Sequence, residues 1–101
     1  MQPEFLVVTR HKNLKEFLIN KGLITVVTPS ITHATMGDVL KKNVVGNLPM
    51  HLAAHTNAIM SLTINVPLDK RGTELSVEEL EMYTSDFCWY KVWEIEKPWE
   101  A

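Results

Sequence analysis

The sequence predicts a Rossmann-like three-layer α/β sandwich, with helices on both faces of a mostly parallel sheet of about five strands. Three observations predict it. Short apolar runs such as Phe5-Leu6-Val7-Val8 and Val44-Val45-Gly46 are β-rich and uninterrupted, the pattern of strands covered on both faces. Segments with helical spacing or a capping signature separate them. The two kinds of segment alternate along the chain, which is the order of βαβ units.

Phe5 to Val8 is the first strand and ends at Thr9-Arg10-His11. Asn13 is a candidate N-cap for a helix to about Lys21, with Leu14, Phe17 and Leu18 at helical spacing and Gly22 as terminator. Leu23 to Val27 reads as the second strand, stopped by Thr28-Pro29 because proline cannot donate to a ladder and restricts its predecessor. Residues 30–43 are polar and irregular and read as a loop with Gly37-Asp38 as its turn signal; Asp38 to Lys42 has a short helix or strand as alternatives. After the strand Val44 to Gly46, Asn47-Leu48-Pro49 opens a helix to about Ile59, since proline fits the first turn. Ser61 to Val66 alternates, with Leu62, Ile64 and Val66 on one face, and Pro67 ends that strand. Asp69-Lys70-Arg71-Gly72 is a turn. Ser76-Val77-Glu78-Glu79 is a capping box for a helix to Tyr83. The last strand, Cys88 to Ile95, is aromatic but carries Lys91 and Glu94, which suits a sheet edge.

The 101 residues fit one domain, 1–101, and 46% hydrophobic against 22% charged residues is a folding composition rather than a disordered one. Cys88 is the single cysteine, so it makes no internal disulfide, and Met1-Gln2-Pro3-Glu4 begins nothing like a secretory leader. Both readings point to the cytoplasm. The apolar runs are far shorter than the ~20 residues of a bilayer span, so no membrane partner is expected. A net charge of −2 argues against long nucleic acid as a partner. Cations are nonetheless concentrated early, at Arg10, Lys12, Lys15, Lys21, Lys41 and Lys42. The acids Glu78, Glu79, Glu81, Asp86, Glu94, Glu96 and Glu100 crowd the end. A local basic pocket for a small anion is compatible with that distribution.

In a parallel sheet the loops leaving the carboxyl ends of the strands share one edge, where ligands bind. Three polar loops qualify: Thr9-Arg10-His11, Gly46-Asn47-Leu48-Pro49, and Asp69-Lys70-Arg71-Gly72. Gly46 permits close backbone approach to a phosphate, and the first turn after Asn47 offers free N–H groups; equally, Gly46 eases a turn and Asn47 caps the helix. Neither the glycine-lysine-threonine phosphate loop nor a three-glycine dinucleotide fingerprint is present. His51 and His55, four apart on the expected helix, share a face, but no glutamate accompanies them, a third ligand could come only from the scattered His11, His33 or Cys88, and no metal site is expected. His51 is near enough to the helix start to reach a phosphate. Cys88 reads as packing. Trp89, Tyr90, Trp93 and Trp99 read as core or dimer packing rather than base-stacking platforms, and Glu78 to Glu81 as a solvated face.

Val7-Val8-Thr9-Arg10-His11, Gly46-Asn47-Leu48-Pro49 with His51-Leu52-Ala53, and Pro67 with Arg71-Gly72-Thr73-Glu74-Leu75 together resemble a small stand-alone CRISPR-associated family that accompanies type III systems. The similarity runs from about Val7 to Leu80; Leu40-Lys41-Lys42-Asn43 looks like extra length relative to the family pattern, and the Trp-rich end is poorly covered. The resemblance implies a Rossmann-like, CARF-related homodimer acting as a ring nuclease. Its implied substrate is cyclic tetra-adenylate, cut to linear diadenylates to end antiviral signalling. No cofactor is implied.

A ribose 2′-hydroxyl held in line with its own 3′-phosphate needs little more than positioning to react. Arg10, Arg71 and the amides after Asn47 would stabilise the phosphorane, and His11, or alternatively His51, would move the proton. The candidate catalytic residues are therefore His11, Arg10 and Arg71, with Thr9, Gly46, Asn47, Leu48, His51 and Lys70 as ligand contacts. A non-catalytic binder, as a sponge or a sensor, would use the same loops. An interaction module would instead use the aromatic edge.

Overall fold

The computed structural model describes residues 3–97 and Trp99. Met1 and Gln2, which contribute to the reading of the N-terminus, and Glu100 among the late acids, lie outside them. The chain forms an α/β fold on a mixed, mostly parallel five-stranded sheet. Its strands are β1 (Phe5–Val8), β2 (Ser30–Ile31), β3 (Asn43–Gly46), β4 (Ala58–Ile64) and β5 (Thr84–Tyr90), in the spatial order β2-β1-β3-β4-β5. The helices are α1 (Leu14–Asn20), α2 (Met36–Val39), α3 (Met50–Ala53) and α4 (Val77–Tyr83), with a 3-10 turn at Leu68–Lys70. None of them, among the described residues, is long and apolar enough to cross a membrane.

Alternation along β1 divides the core. Val7 joins Val45, Met60 and Leu62 in a cluster with Leu14, Phe17 and Leu18 of α1 and Leu80 of α4. Leu6 and Val8 join Val44 in a second cluster with Val39 of α2, against which Leu48 and Leu52 pack. β1 and β3, paired in parallel at the centre, thus contribute buried residues to both clusters, which is why their sequences are unbroken apolar runs.

Several boundaries differ from the sequence reading. Leu23 to Val27 is not a strand. The Thr28 N–H donates to the Thr25 carbonyl and the Thr25 N–H to Thr28 Oγ1, closing a surface turn that leaves Val26 72% and Val27 84% exposed. The strand lies beyond Pro29, whose carbonyl accepts from the Val7 N–H at 2.9 Å. Proline is tolerated here because β2 is the outermost strand and proline's carbonyl still accepts. The loop after it contains α2, whose N-cap Thr35 and Asp38 form a reciprocal capping box.

The helix expected from Asn47 to Ile59 is only the four-residue α3, with Pro49 at its N-cap position, so Asn47 does not cap it and His55 lies beyond its end. The apolar residues Ile59 and Met60 go into β4, in parallel register with Val44 and Val45. Asn13 occupies the N-cap position of α1 without a side-chain cap bond. The capping box at Ser76 and the stop at Gly22, with φ +74°, form as read.

β5 starts four residues earlier than expected and runs antiparallel to β4. The Asn65 N–H donates to the Tyr83 carbonyl at 2.8 Å, so the chain leaving β4 returns through α4 to the edge it left and can only run back down. Pairing stops at Tyr90 opposite Ile59, near the start of β4. Lys91 then turns its Nζ onto the carbonyls of Thr56 and Asn57.

Candidate functional site

Strand order reverses between β1 and β3, because the chain passes from β1 to β2 on one side and returns across β1 to β3 on the other. Loops leaving the carboxyl ends of strands at such a point diverge and leave a crevice. A cleft of about 470 Å³ lies there. Thr9, Arg10 and His11 after β1, Thr32 and His33 after β2, and Gly46 at the end of β3 with Asn47 and Leu48 after it line it, over a floor that includes Val8, Leu62 and Ile64.

Two features set the shape of this edge. Gly46, opposite Val8 in the ladder, has φ +134°, and a Cβ there would sit 2.0 Å from the Val8 carbonyl oxygen. The glycine is therefore demanded by the approach of β3 to β1 itself, and through that approach sets the spacing of the two loops. The turn after β1 is held by Thr9, whose Oγ1 accepts the His11 N–H at 3.0 Å. Asn13 Nδ2 then donates to the Leu75 carbonyl at 2.8 Å, tying this loop region to the segment before α4.

That tie brings in the loop after β4. A hollow of about 310 Å³ is lined by His11, Val66, Lys70, Arg71, Gly72 and Thr73, and His11 and Ile64 line both it and the cleft. The three loops read from sequence accordingly stand side by side, with His11 where the two spaces meet.

The cleft and the hollow together carry Arg10, His11, His33, Lys70 and Arg71 and no carboxylate, in a chain with 12 acidic residues against 10 basic ones. The cations are not equivalent. Lys70 Nζ lies 3.2 Å from Glu79 Oε2, and this hydrogen bond holds the lysine's pKa above its ordinary value. Glu79 is held below its ordinary value, first by the Ser76 backbone N–H it accepts in the capping box and then by Lys70. Arg10 and Arg71 are exposed and enter none of the ion pairs among the described residues. Their guanidinium groups therefore remain available to an anion, with planar donor forks suited to phosphate.

Of the residues singled out from sequence, Thr9, Arg10, His11, Gly46, Asn47 and Leu48 line the cleft, and Lys70 and Arg71 the adjoining hollow. His51 is exposed on α3 and lines neither. Among the described residues no group of three or more histidine, cysteine or acidic side chains is placed to hold a metal. Sequence alone does not place Thr32 and His33 at this edge, because it puts the second strand at Leu23 to Val27. With β2 at Ser30–Ile31, Thr32-His33 becomes the loop that follows it, as Thr9-Arg10-His11 follows β1.

The family model described as "Putative CRISPR-associated protein (Cas_VVA1548)" matches residues 6–93. The chain belongs to this family. No curated protein and no solved structure matches the chain. The matched span of the Cas_VVA1548 family contains β2 to β5, β1 from Leu6 onward, and both basic spaces at their carboxyl edge.

Proposed function

We propose that this CRISPR-associated protein is a metal-independent ring nuclease of the cytoplasm. It would cleave cyclic tetra-adenylate to linear diadenylates and so end antiviral signalling by a type III system. The observation that carries the reading is the cleft at the switch in strand order with its adjoining hollow, whose linings bear Arg10, His11, His33 and Arg71 and no carboxylate, in a chain of a CRISPR-associated family. In this reading the α/β fold is a Rossmann-like, CARF-related sandwich, and a two-fold dimer presents identical pockets to identical halves of a symmetric ring.

The ribose 2′-oxygen attacks its own 3′-phosphorus, the bond from phosphorus to the 5′-oxygen of the next nucleotide breaks, and a 2′,3′-cyclic phosphate and a free 5′-hydroxyl result. His11 takes the proton from the 2′-hydroxyl. We assign His33, which lines the same cleft, as the donor to the leaving 5′-oxygen. General acid–base participation of this kind contributes about 10²- to 10⁴-fold, and in-line positioning supplies most of the remainder. Arg10 and Arg71 stabilise the charge that accumulates on the phosphorane oxygens.

The test is incubation of excess cyclic tetra-adenylate with the purified protein and EDTA, with the nucleotide followed by liquid chromatography. Many turnovers to linear product are expected. Tight binding with the ring recovered intact would overturn the nuclease and leave a sponge, and no binding would overturn both.

A further inference from the structure

A third hollow, of about 380 Å³, flanks α3 on the sheet face that α3 leaves open beyond Ala53. Its wall nearest the cleft is Gly46-Asn47-Leu48, which lines the cleft as well, so the two spaces share a single peptide segment. Its other walls are mainly Met50, Ala53, Ile59, Tyr90 and Val92. Met50 is 75% and Tyr90 53% exposed, both large apolar surfaces without cover. No carboxylate lines the hollow, and its one cation, Lys91, spends its Nζ on the carbonyls of Thr56 and Asn57 at 3.2 and 2.8 Å.

The neighbouring spaces therefore differ in kind: one offers charge, and the other offers apolar and aromatic surface with the exposed Asn47 amide at the boundary. A nucleotide has the same division, a phosphate one sugar away from a flat uncharged base. The Tyr90 ring supplies a stacking surface, and an asparagine amide pairs a donor and an acceptor with the edge of adenine. We propose that this hollow is a purine-base subsite for the nucleotide whose phosphate occupies the cleft, an inference that rests on reading the cleft as an RNA phosphate site.

The test is an NMR titration of the full chain with adenosine, inorganic phosphate and adenosine 5′-monophosphate as separate probes. Adenosine is expected to shift Leu48, Met50 and Tyr90 saturably, and inorganic phosphate to shift Thr9 to His11. Tyr90→Ala should weaken the monophosphate about tenfold and leave inorganic phosphate unchanged, whereas Tyr90→Phe should bind as wild type does. Met50→Glu, at a solvated position that folding does not depend on, should also weaken the monophosphate. Adenosine shifts elsewhere or nowhere, or unchanged affinity in both Tyr90→Ala and Met50→Glu, would overturn the subsite. Adenosine shifts at Tyr90 with phosphate silent at Thr9 to His11 would uphold the base subsite and overturn the phosphate reading instead.

Discussion

Replacing Gly46 by alanine tests whether fold and site share one determinant. The added Cβ would lie 2.0 Å from the Val8 carbonyl oxygen and 3.1 Å from its carbon, on a backbone held at φ +134°. Both neighbours are main chain in a paired central strand, so neither can rotate away. Holding a residue with a side chain at such a dihedral costs about 1–3 kcal/mol, and overpacking a close contact about 1–3 kcal/mol more. A combined cost of about 2–6 kcal/mol is a large share of the 5–15 kcal/mol that typically separates folded from unfolded domains. At about 4–8 °C per kcal/mol, Tm should fall by at least about 8 °C, measured by calorimetry or circular dichroism. Relief of the clash would separate β3 from β1, so the folded fraction should also bind cyclic tetra-adenylate more weakly. A Tm within about 3 °C of wild type, with unchanged binding, would refute the claim that this glycine sets the spacing of the two loops.

Other substitutions separate the roles assigned to neighbouring residues. His11→Ala should lower kcat about 10²- to 10⁴-fold while changing Kd by less than about threefold, read by single-turnover cleavage and calorimetry. Arg71→Ala should harm both binding and cleavage and exceed the effect of Lys70→Ala, because Lys70 is already paired with Glu79; salt-dependent binding isotherms of the two variants check this. Asn13→Ala removes the bond to the Leu75 carbonyl, with an expected cost of about 1 kcal/mol and a corresponding fall in Tm. Glu79 and Asp38 both have folded pKa values below their ordinary 4.5 and 3.8, so their stabilisation is complete above those values and is lost as pH falls through the lower folded ones. Melts from pH 7 to pH 3 should show Tm dropping below about pH 4, with a shallower drop in Glu79→Gln.

The parts of this fold legible in the sequence are those whose signals are local. The uninterrupted run Phe5–Val8, the stop at Gly22 and the capping box at Ser76 each carry their cause within a few residues, and each forms as read. The misread parts depend on distant partners. Leu23 to Val27 has strand-forming residues, but the ladder of β1 is taken by Ser30–Ile31 and the earlier run closes on itself through Thr25 and Thr28. Ala58 and Ile59 read as the end of a helix, yet an open edge of β3 draws them into β4. The loops after β1 and β4 are legible because charge stands out against apolar strands, and the loop after β3 because Gly46-Asn47-Leu48-Pro49 breaks an apolar run. His33 is not, since a two-residue edge strand after a proline gives no pattern from which its loop can be read.

The central claim is spatial: an anionic ring is held at the carboxyl edge of β1, β2 and β3. A crystal structure of His11→Ala with intact cyclic tetra-adenylate tests it most directly. The account predicts phosphates against Arg10, His33 and the Gly46 to Leu48 backbone, with Arg71 closing on the ring from the adjoining hollow. A ring bound instead along the exposed aromatic strand β5, with that edge empty, would contradict it.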